Sequence, residues 1–516
     1  MRSVGFSRTY RSDVLISGSR FLCALAVRWP HLMLLPAFSD ESLEVRWAMD
    51  IAMGRRLPLT AYDAYDGPLF PYLIAAGFKC FGFTLAVPRT IIAVCGVLTV
   101  PATFWLGRLM ADRWTGVLAA CLAATSPALV LYSSHYAWSN SLTPLFATLA
   151  FTALYVGVER RNSAVLSLAG VLAALTIQTH PLTAVVFAGA ALWLIPWRRR
   201  ESGLSRGQLS RLAAWCVVGY APMIAANVLR PLISARLASQ RTYAFAPTLH
   251  PGEYLSRLVD LIRTFVDMLA GGLAFDRVPA SPVAFVLAGG VLLWIVGVDW
   301  VKGKGLVACW IVSTMIALPI VVKLFIPRYL AFLLPVSFVA AASAIGPALR
   351  AITEAHAASS HRRRRIAGTF VACTVVLVVS AYPLRAMQRY TTSALANGLS
   401  NEGYFRLRDV LTQRHACGRQ LLVEEADRPL TGPSWVGLYA VDYVLSLSGC
   451  EHQFLTAEKT RLALADQDEA WVVLSSDTAS RWPTPWTLNA EFVFGAPAGF
   501  ERVPLTLYRV RRARRP

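Results

Sequence analysis

LMLLPAFSDESLEVRWAMDIAMGRRLPL, residues 32–59, passes from an apolar run into a polar one within a few positions. The leucines stop at Pro36, and two adjacent acids, Asp40 and Glu41, follow at once. Two readings fit this junction. In the first, Ser39 caps a helix and its acidic first turn meets the helix dipole, worth about 0.3–1 kcal/mol. In the second, a carboxylate at the lip of a hydrophobic segment is a catalytic base beside a lipid-borne substrate. On such a helix Leu43, Trp47 and Ile51 recur at i, i+4 and i+8, and Gly54 supplies a stop. Asp40 and Glu44 then share a face, while Glu41 points about 100° away.

The rest of the chain places that junction at a membrane. Of 516 residues, 55% are hydrophobic and 16% charged, where soluble domains carry about 25% charged residues. The formal net charge of +20 sits mostly in short hydrophilic breaks. Charge in that pattern reports topology and anionic headgroups, so a nucleic-acid partner is not expected. A bilayer core of about 30 Å takes roughly 20 apolar residues per helix. Eleven spans are predicted, near 14–36, 86–107, 114–133, 140–157, 163–179, 181–196, 211–228, 281–300, 306–322, 329–348 and 366–384. The first holds Arg20 and Arg28 and lacks a small-x-small cleavage site, so it reads as a retained anchor. The basic connections GRLMADRW, ERRNS, WRRRESGLSRGQLSR, VKGKG and SSHRRRRI separate alternate pairs of spans and fall on one side. By the positive-inside rule that side is cytoplasmic. The expectation is a multi-pass protein of the plasma (inner) membrane, N-terminus inside and everything after about Tyr382 outside.

Three outer segments are long. Residues 38–85 include GPLFPYLIAAGFKCFGF, too short to span comfortably and read as an interfacial helix carrying Lys79. Residues 229–280 include LSRLVDLIRTFVDMLAGGLAF, a second interfacial candidate. The third is the tail, 385–516, where RQLLVEE, YVLSLSG and EAWVVLSS read as strands of a small α/β domain. The expected division is a membrane domain over 1–384 and an extracytoplasmic domain over 385–516. No CxxC or Cys/His metal spacing occurs; Cys417 and Cys450, both in the tail, could pair in an oxidising compartment.

The order of segments carries more than any one of them. After the acidic pair come GRRLPL, YDGPLFPYL, FKCFGF, PRTIIAVCGVLTVPATFWLGRLMADRWTGVLAA, SPALVLYSS and LTIQTHPLT, with IPRYLAFLLPV much later. This series resembles the GT-C membrane glycosyltransferases. It is most similar to the bacterial group related to protein O-mannosyltransferases (glycosyltransferase family 39-like), ArnT-type aminoarabinose transferases and Rgt-type galacturonosyltransferases. The resemblance covers about the first 190 residues and the IPRYLAFLLPV segment. It implies a GT-C fold with its site in the outer loops, a polyprenyl-phosphate sugar donor, and a first-loop aspartate as base. That base maps to Asp40, with Glu41 as supporting carboxylate. One departure is visible: where many members carry a second acid after the YS motif, this chain has Asn140. Asn140 can hydrogen-bond but brings no charge, which weakens the case for a divalent metal.

Transfer from a lipid phosphate also needs cations at the departing group. Lys323 and Arg328 break the positive-inside pattern at an outer turn; their bland reading is snorkelling to headgroups. Arg328, beside Tyr329 in the family-like segment, is the better candidate, with Arg241 and Lys79 behind it. His180, near Gln178 and Thr179, reads either as a helix-end cap or as a substrate contact. Asp63 and Asp66 read first as turn formers and second as sugar contacts. The leading expectation is an inverting membrane glycosyltransferase acting on an extracytoplasmic lipid, glycan or protein acceptor. The alternative is a transporter or flippase of a lipid-linked glycan, although transporters tend to place polar groups at mid-membrane and here ionisable residues gather at the span ends.

Overall fold

A computed structural model describes residues 4–30, 32–33, 39–61, 64–194, 204–240, 246–273, 279–299, 305–323, 325, 327–357, 374, 380–392, 402–416, 421–424, 434–450, 452–455, 469–475, 479, 486–494 and 505–512. The chain is a helical bundle followed by a small mixed α/β unit. The bundle begins with α1 (Val4–Arg28), α2 (Ser39–Ala52), α3 (Leu69–Phe81) and α4 (Ala86–Met110). It continues with α5 (Arg113–Thr125), α6 (Pro127–Val130, extended as a π-helical turn to His135), α7 (Thr143–Glu159), α8 (Ser163–Thr179) and α9 (Ala184–Trp193). Further helices cover Arg206–Gly219, Ala221–Leu229, Ile233–Gln240, Pro251–Leu269, Pro282–Asp299, Leu306–Val321 and Leu334–Ala357.

Helix ends fall where backbone chemistry requires. The first helix stops at Arg28, two residues before Pro30, whereas the predicted first span ran on to 36. Pro127 breaks the third predicted span into two pieces bent by 62°. A similar bend of 60° separates Arg206–Gly219 from Ala221–Leu229, next to Pro222. By length and composition, three of the described helices can cross a membrane, or five if each bent pair is one span. Five shorter apolar helices, among them Leu69–Phe81 and Ser163–Thr179, stand where other spans or the interfacial helix were expected. Most of the predicted eleventh span, 366–384, lies outside the described residues. Close helix approach uses small residues: a Cβ added to Gly107 of α4 would sit 2.9 Å from the Gly116 Cα of α5.

The two ends of the bundle are chemically distinct. At one end Asp13 bridges Arg108 and Arg113, both at 3.2 Å, so the N-terminal helix pairs with the α4–α5 turn. Gln208 donates to the Arg161 carbonyl and Trp114 to Thr353 at basic or polar turns of the same alternating set. At the other end the α6–α7 turn and the Pro327–Tyr329 turn meet the start of α2, with the α8–α9 turn packed behind Tyr329.

The C-terminal unit carries a five-stranded sheet of order β2-β1-β3-β5-β4, with β1 (Leu421–Glu424), β2 (Gln453–Leu455), β3 (Glu469–Ser475), β4 (Trp486–Phe494) and β5 (Leu505–Arg512). β1 is parallel to β2 and β3; β5 runs antiparallel to β3 and β4. Period-two alternation sorts its side chains. Leu421, Val423, Trp471 and Val473 face the bundle side and join one core with Val45 and Met49 of α2 and Phe70 and Ile74 of α3. Leu422, Val472 and Leu474 fill a separate small cluster on the other face. The sheet unit thus shares its core with the helices beside the first loop.

One predicted strand is a helix. YVLSLSG (443–449) belongs to the end of the helix Ser434–Leu447 and the turn after it. Short apolar runs do not distinguish strand from helix by periodicity. Here the segment is the end of a helix of 14 residues, Ser434–Leu447, which packs against α2 and against β1 and β5 of the sheet.

The buried stripe of α2 also differs from the expected Leu43–Trp47–Ile51 line. Glu41, Val45, Ala48 and Met49 are buried, at spacings of four, three and one, while Leu43 and Trp47 are half-buried. The stripe therefore begins on a carboxylate. A charge in that position demands a partner.

Candidate active site

Asp40 stands in the first turn of α2, its side chain 28% exposed, with Arg328 Nη2 2.7 Å from its Oδ2. Arg328 comes from a short 3-10 turn, Pro327–Tyr329, that precedes the Leu334–Ala357 helix. Its guanidinium lies over the Trp138 ring at 4.4 Å and near the Tyr329 ring at 5.2 Å. Burial works against the charged form of Arg328, but Asp40, then Tyr329, outweigh it and hold the pKa above its ordinary value. A cation with a raised pKa contributes its stabilisation fully below its ordinary, unfolded value. Arg328 thus stays charged wherever the protein is handled.

Asp40, Arg328, Asn140 and Asp66 line one small cleft together with Glu44, Tyr65, Trp138 and Ser139. The α6–α7 turn is clamped by carboxylates: Glu44 accepts from the Ser139 amide at 2.7 Å and from Ser139 Oγ at 3.1 Å. Ser139 Oγ also lies 3.3 Å from Asp66 Oδ2. Behind the cleft, the His180 and Tyr329 rings pack at 4.9 Å, and Tyr65 meets His180 edge-on at 6.0 Å. His180 Nδ1 accepts from the Leu182 amide, so the residue is also a cap. Gly67 makes this junction possible: its amide donates to the Gln178 carbonyl at 2.7 Å, and an added Cβ would meet the Gln178 side chain at 2.5 Å.

The other predicted site residues lie elsewhere. Glu41 is turned away from the cleft and fully buried. Arg89 of α4 holds it in a two-pronged pair, Nε to Oε1 at 2.9 Å and Nη2 to Oε2 at 3.0 Å. Arg89 Nη1 also donates to the Leu32 carbonyl at 2.8 Å, and the Tyr443 hydroxyl donates to Glu41 Oε1 at 3.2 Å. Lys79 and Lys323 are exposed and do not line the cleft. Arg241 and Asp63 lie outside the described residues. Glu44, Tyr65, Trp138 and Ser139 were missed. Of these only Glu44 carried a signal, its i+4 spacing from Asp40. Arg89 carried another: an arginine inside an apolar span requires a partner.

The Arg89–Glu41 pair is a stability element. Arg89→Met would strand the buried Glu41 carboxylate and is expected to cost about 3–5 kcal/mol. Thermal unfolding in detergent would fall, and adding Glu41→Gln would restore part of it. An unchanged midpoint in Arg89→Met would refute this.

Among the described residues no group of three or more His, Cys, Asp or Glu is arranged to hold a metal ion. In the cleft, Asp40 is engaged by Arg328 and Glu44 by Ser139, so this donor set as arranged does not fit a hard divalent cation, which takes six or more oxygens. Cys450 is disulfide-bonded, and the free cysteines are Cys23, Cys80, Cys95, Cys121, Cys216 and Cys309. Cys417, the pairing expected from the sequence, lies outside the described residues.

Comparison with known proteins adds two findings. Residues 65–225 match the family described as dolichyl-phosphate-mannose-protein mannosyltransferase. No curated protein matches the chain in sequence. Among solved structures, ArnT from Cupriavidus metallidurans in the apo state is similar with TM-score 0.62 at 12% identity, over 98% of both chains. The same protein bound to undecaprenyl phosphate is similar with TM-score 0.58 at 13% identity, again over 98% of both chains. The archaeal oligosaccharyltransferase AglB from Archaeoglobus fulgidus, in complex with an inhibitory peptide and a dolichol-phosphate, is similar with TM-score 0.52 at 14% identity. That match covers 84% of this chain and 64% of AglB. At such identities the likeness is one of fold: the chain has the fold of ArnT, and within it residues 65–225 carry the matched family segment.

Proposed function

We propose that the protein moves a sugar from a polyprenyl-phosphate donor to a hydroxyl of an extracytoplasmic acceptor, with inversion at the anomeric carbon. The acceptor oxygen attacks that carbon as Asp40 takes the hydroxyl proton. The bond from the carbon to the phosphate oxygen breaks, and polyprenyl phosphate leaves against Arg328. The Asp40–Arg328 pair carries this reading, because it puts a carboxylate and a phosphate-binding cation in one cleft at the end of an apolar bundle. On donor binding, phosphate oxygens compete with Asp40 for the guanidinium and release the carboxylate to the acceptor. The base then becomes available only when a donor is in place.

A neighbouring hollow of about 470 Å³ supports a lipid-linked donor. Leu57, Pro58, Leu59, Leu229 and Ile233 supply apolar walls, with Arg56 and Arg230 among them. Residue Ala64 belongs to this hollow and Tyr65 to the cleft, so the two are neighbours along the chain. Asn140 and Asp66 are proposed to bind sugar hydroxyls, with His180 and Tyr329 shaping the wall behind them. The proposed orientation has the cleft and the C-terminal unit outside a plasma membrane and the N-terminus inside. The disulfide at Cys450 supports it, since such bonds persist in oxidising compartments.

The test is a panel of polyprenyl-phosphate sugars presented to the purified protein, with released polyprenyl phosphate as the readout. Donor consumption is expected for one member or a few related ones. A protein that binds and translocates these lipids yet consumes none would be a carrier, and the transferase reading would fall.

A further inference from the structure

We infer that Tyr443, in the C-terminal unit, is a positioning residue for Asp40 and acts through Glu41. This rests on the reading of Asp40 as the base. Asp40 and Glu41 are adjacent in the first turn of α2, and each is held by a different part of the molecule. Arg328 meets Asp40 at the cleft, while Arg89 and Tyr443 hold Glu41 in the interior. Glu41 and Arg89 are wholly buried and Tyr443 is 1% exposed, so water cannot replace any member of the cluster.

The cluster sets both ends of the approach to α2. Arg89 grips the Leu32 carbonyl before the helix and the Glu41 carboxylate within it. The two-pronged Arg89 pair holds both oxygens of the Glu41 carboxylate from α4. The Tyr443 hydroxyl, reaching Oε1 from a residue 402 positions away, adds a contact anchored in a different part of the molecule. Burial, and then the Glu41 charge, push the Tyr443 phenol well above its ordinary value. It therefore remains protonated and can only serve Glu41 as a donor. A second clasp lies one helical turn further along α2: Arg46 pairs with Asp442, which also takes His452 Nε2 at 2.7 Å. The Ser434–Leu447 helix is thus tied to α2 at two successive levels, and the one nearer the cleft is Tyr443.

The role assigned to the C-terminal unit is accordingly mechanical. It seats the turn that aims the base, and none of its described residues lines the cleft. Tyr443→Phe removes one oxygen from a position otherwise filled by the ring. Because misplacement of about 1 Å at a reacting centre costs up to 10²-fold, a loss of roughly tenfold in kcat is expected, with the donor KM unchanged. Glu469→Gln, which alters an exposed sheet ion pair with Arg509 and Arg511, is expected to leave kcat alone.

The experiment uses the full chain in lipid nanodiscs and has two arms. The first measures kcat and donor KM for wild type, Tyr443→Phe and Glu469→Gln, each corrected for folded fraction. The second needs no activity: Asp40→Cys is made with and without Tyr443→Phe, and alkylation at position 40 by a soluble maleimide is followed by peptide mass spectrometry. Several-fold faster alkylation in the double variant, together with the kcat loss, supports the proposal. Unchanged alkylation overturns it whatever kcat does, and so does a wild-type kcat in Tyr443→Phe. A wild-type protein inert towards every donor would instead remove the transferase reading, and the alkylation arm alone would then decide whether Tyr443 seats this turn.

Discussion

Asp40→Asn is expected to lower sugar transfer about 10²–10⁴-fold, the range a positioned general base supplies. The substitution keeps shape and leaves an amide oxygen for Arg328, which now lies 2.7 Å from Oδ2. Protein level and gel-filtration behaviour should therefore hold. The donor KM carries the more discriminating sign. If phosphate and Asp40 compete for the same guanidinium, removing the carboxylate removes the competitor, and KM should stay level or fall. A rise in KM with little change in kcat would mean that Asp40 binds substrate without taking its proton. Turnover at the wild-type rate would end the assignment.

Arg328→Ala should cost about 10²–10³ in rate, as loss of a donor at developing oxyanion charge does elsewhere. Here KM should rise as well, because the same cation meets the phosphate in the ground state. Arg328→Lys sharpens the test. It restores the charge but not the planar fork or the stacking on Trp138 seen at 4.4 Å. Partial recovery is expected. Full recovery would show that a point charge is enough and would sink the competition scheme, which needs a guanidinium that can pass between two oxyanions. Lys79→Gln and Lys323→Gln, altering exposed residues away from the cleft, should have small effects.

Several elements of the site were legible in the residues alone. Asp40 stood out because a carboxylate followed an apolar run directly, and Arg328 because it broke the charge pattern of the turns. Both are now in one cleft, with Asn140 and Asp66. His180 and Tyr329 belong to separate turns in the sequence, and the fold packs their rings together. Glu41 shows where local reading stops. Its spacing from Asp40 told only that it points another way on the helix, and what lies in that direction comes from residues 89 and 443. Lys79 and Lys323 had the right charge at plausible depth, yet neither helix end carries them to the cleft.

Composition, apolar run length and the alternation of basic turns pointed, without coordinates, to a membrane bundle. Those properties depend on the solvent each segment meets, and the solvent is written locally in the chain. Which of two neighbouring acids faces the cleft, and whether residues 443–449 form strand or helix, were decided only by tertiary packing. An isolated α2 could rotate to present either carboxylate. The buried Arg89 and Tyr443 remove that freedom, because a charge taken out of water accepts only the one orientation in which its partners can reach it.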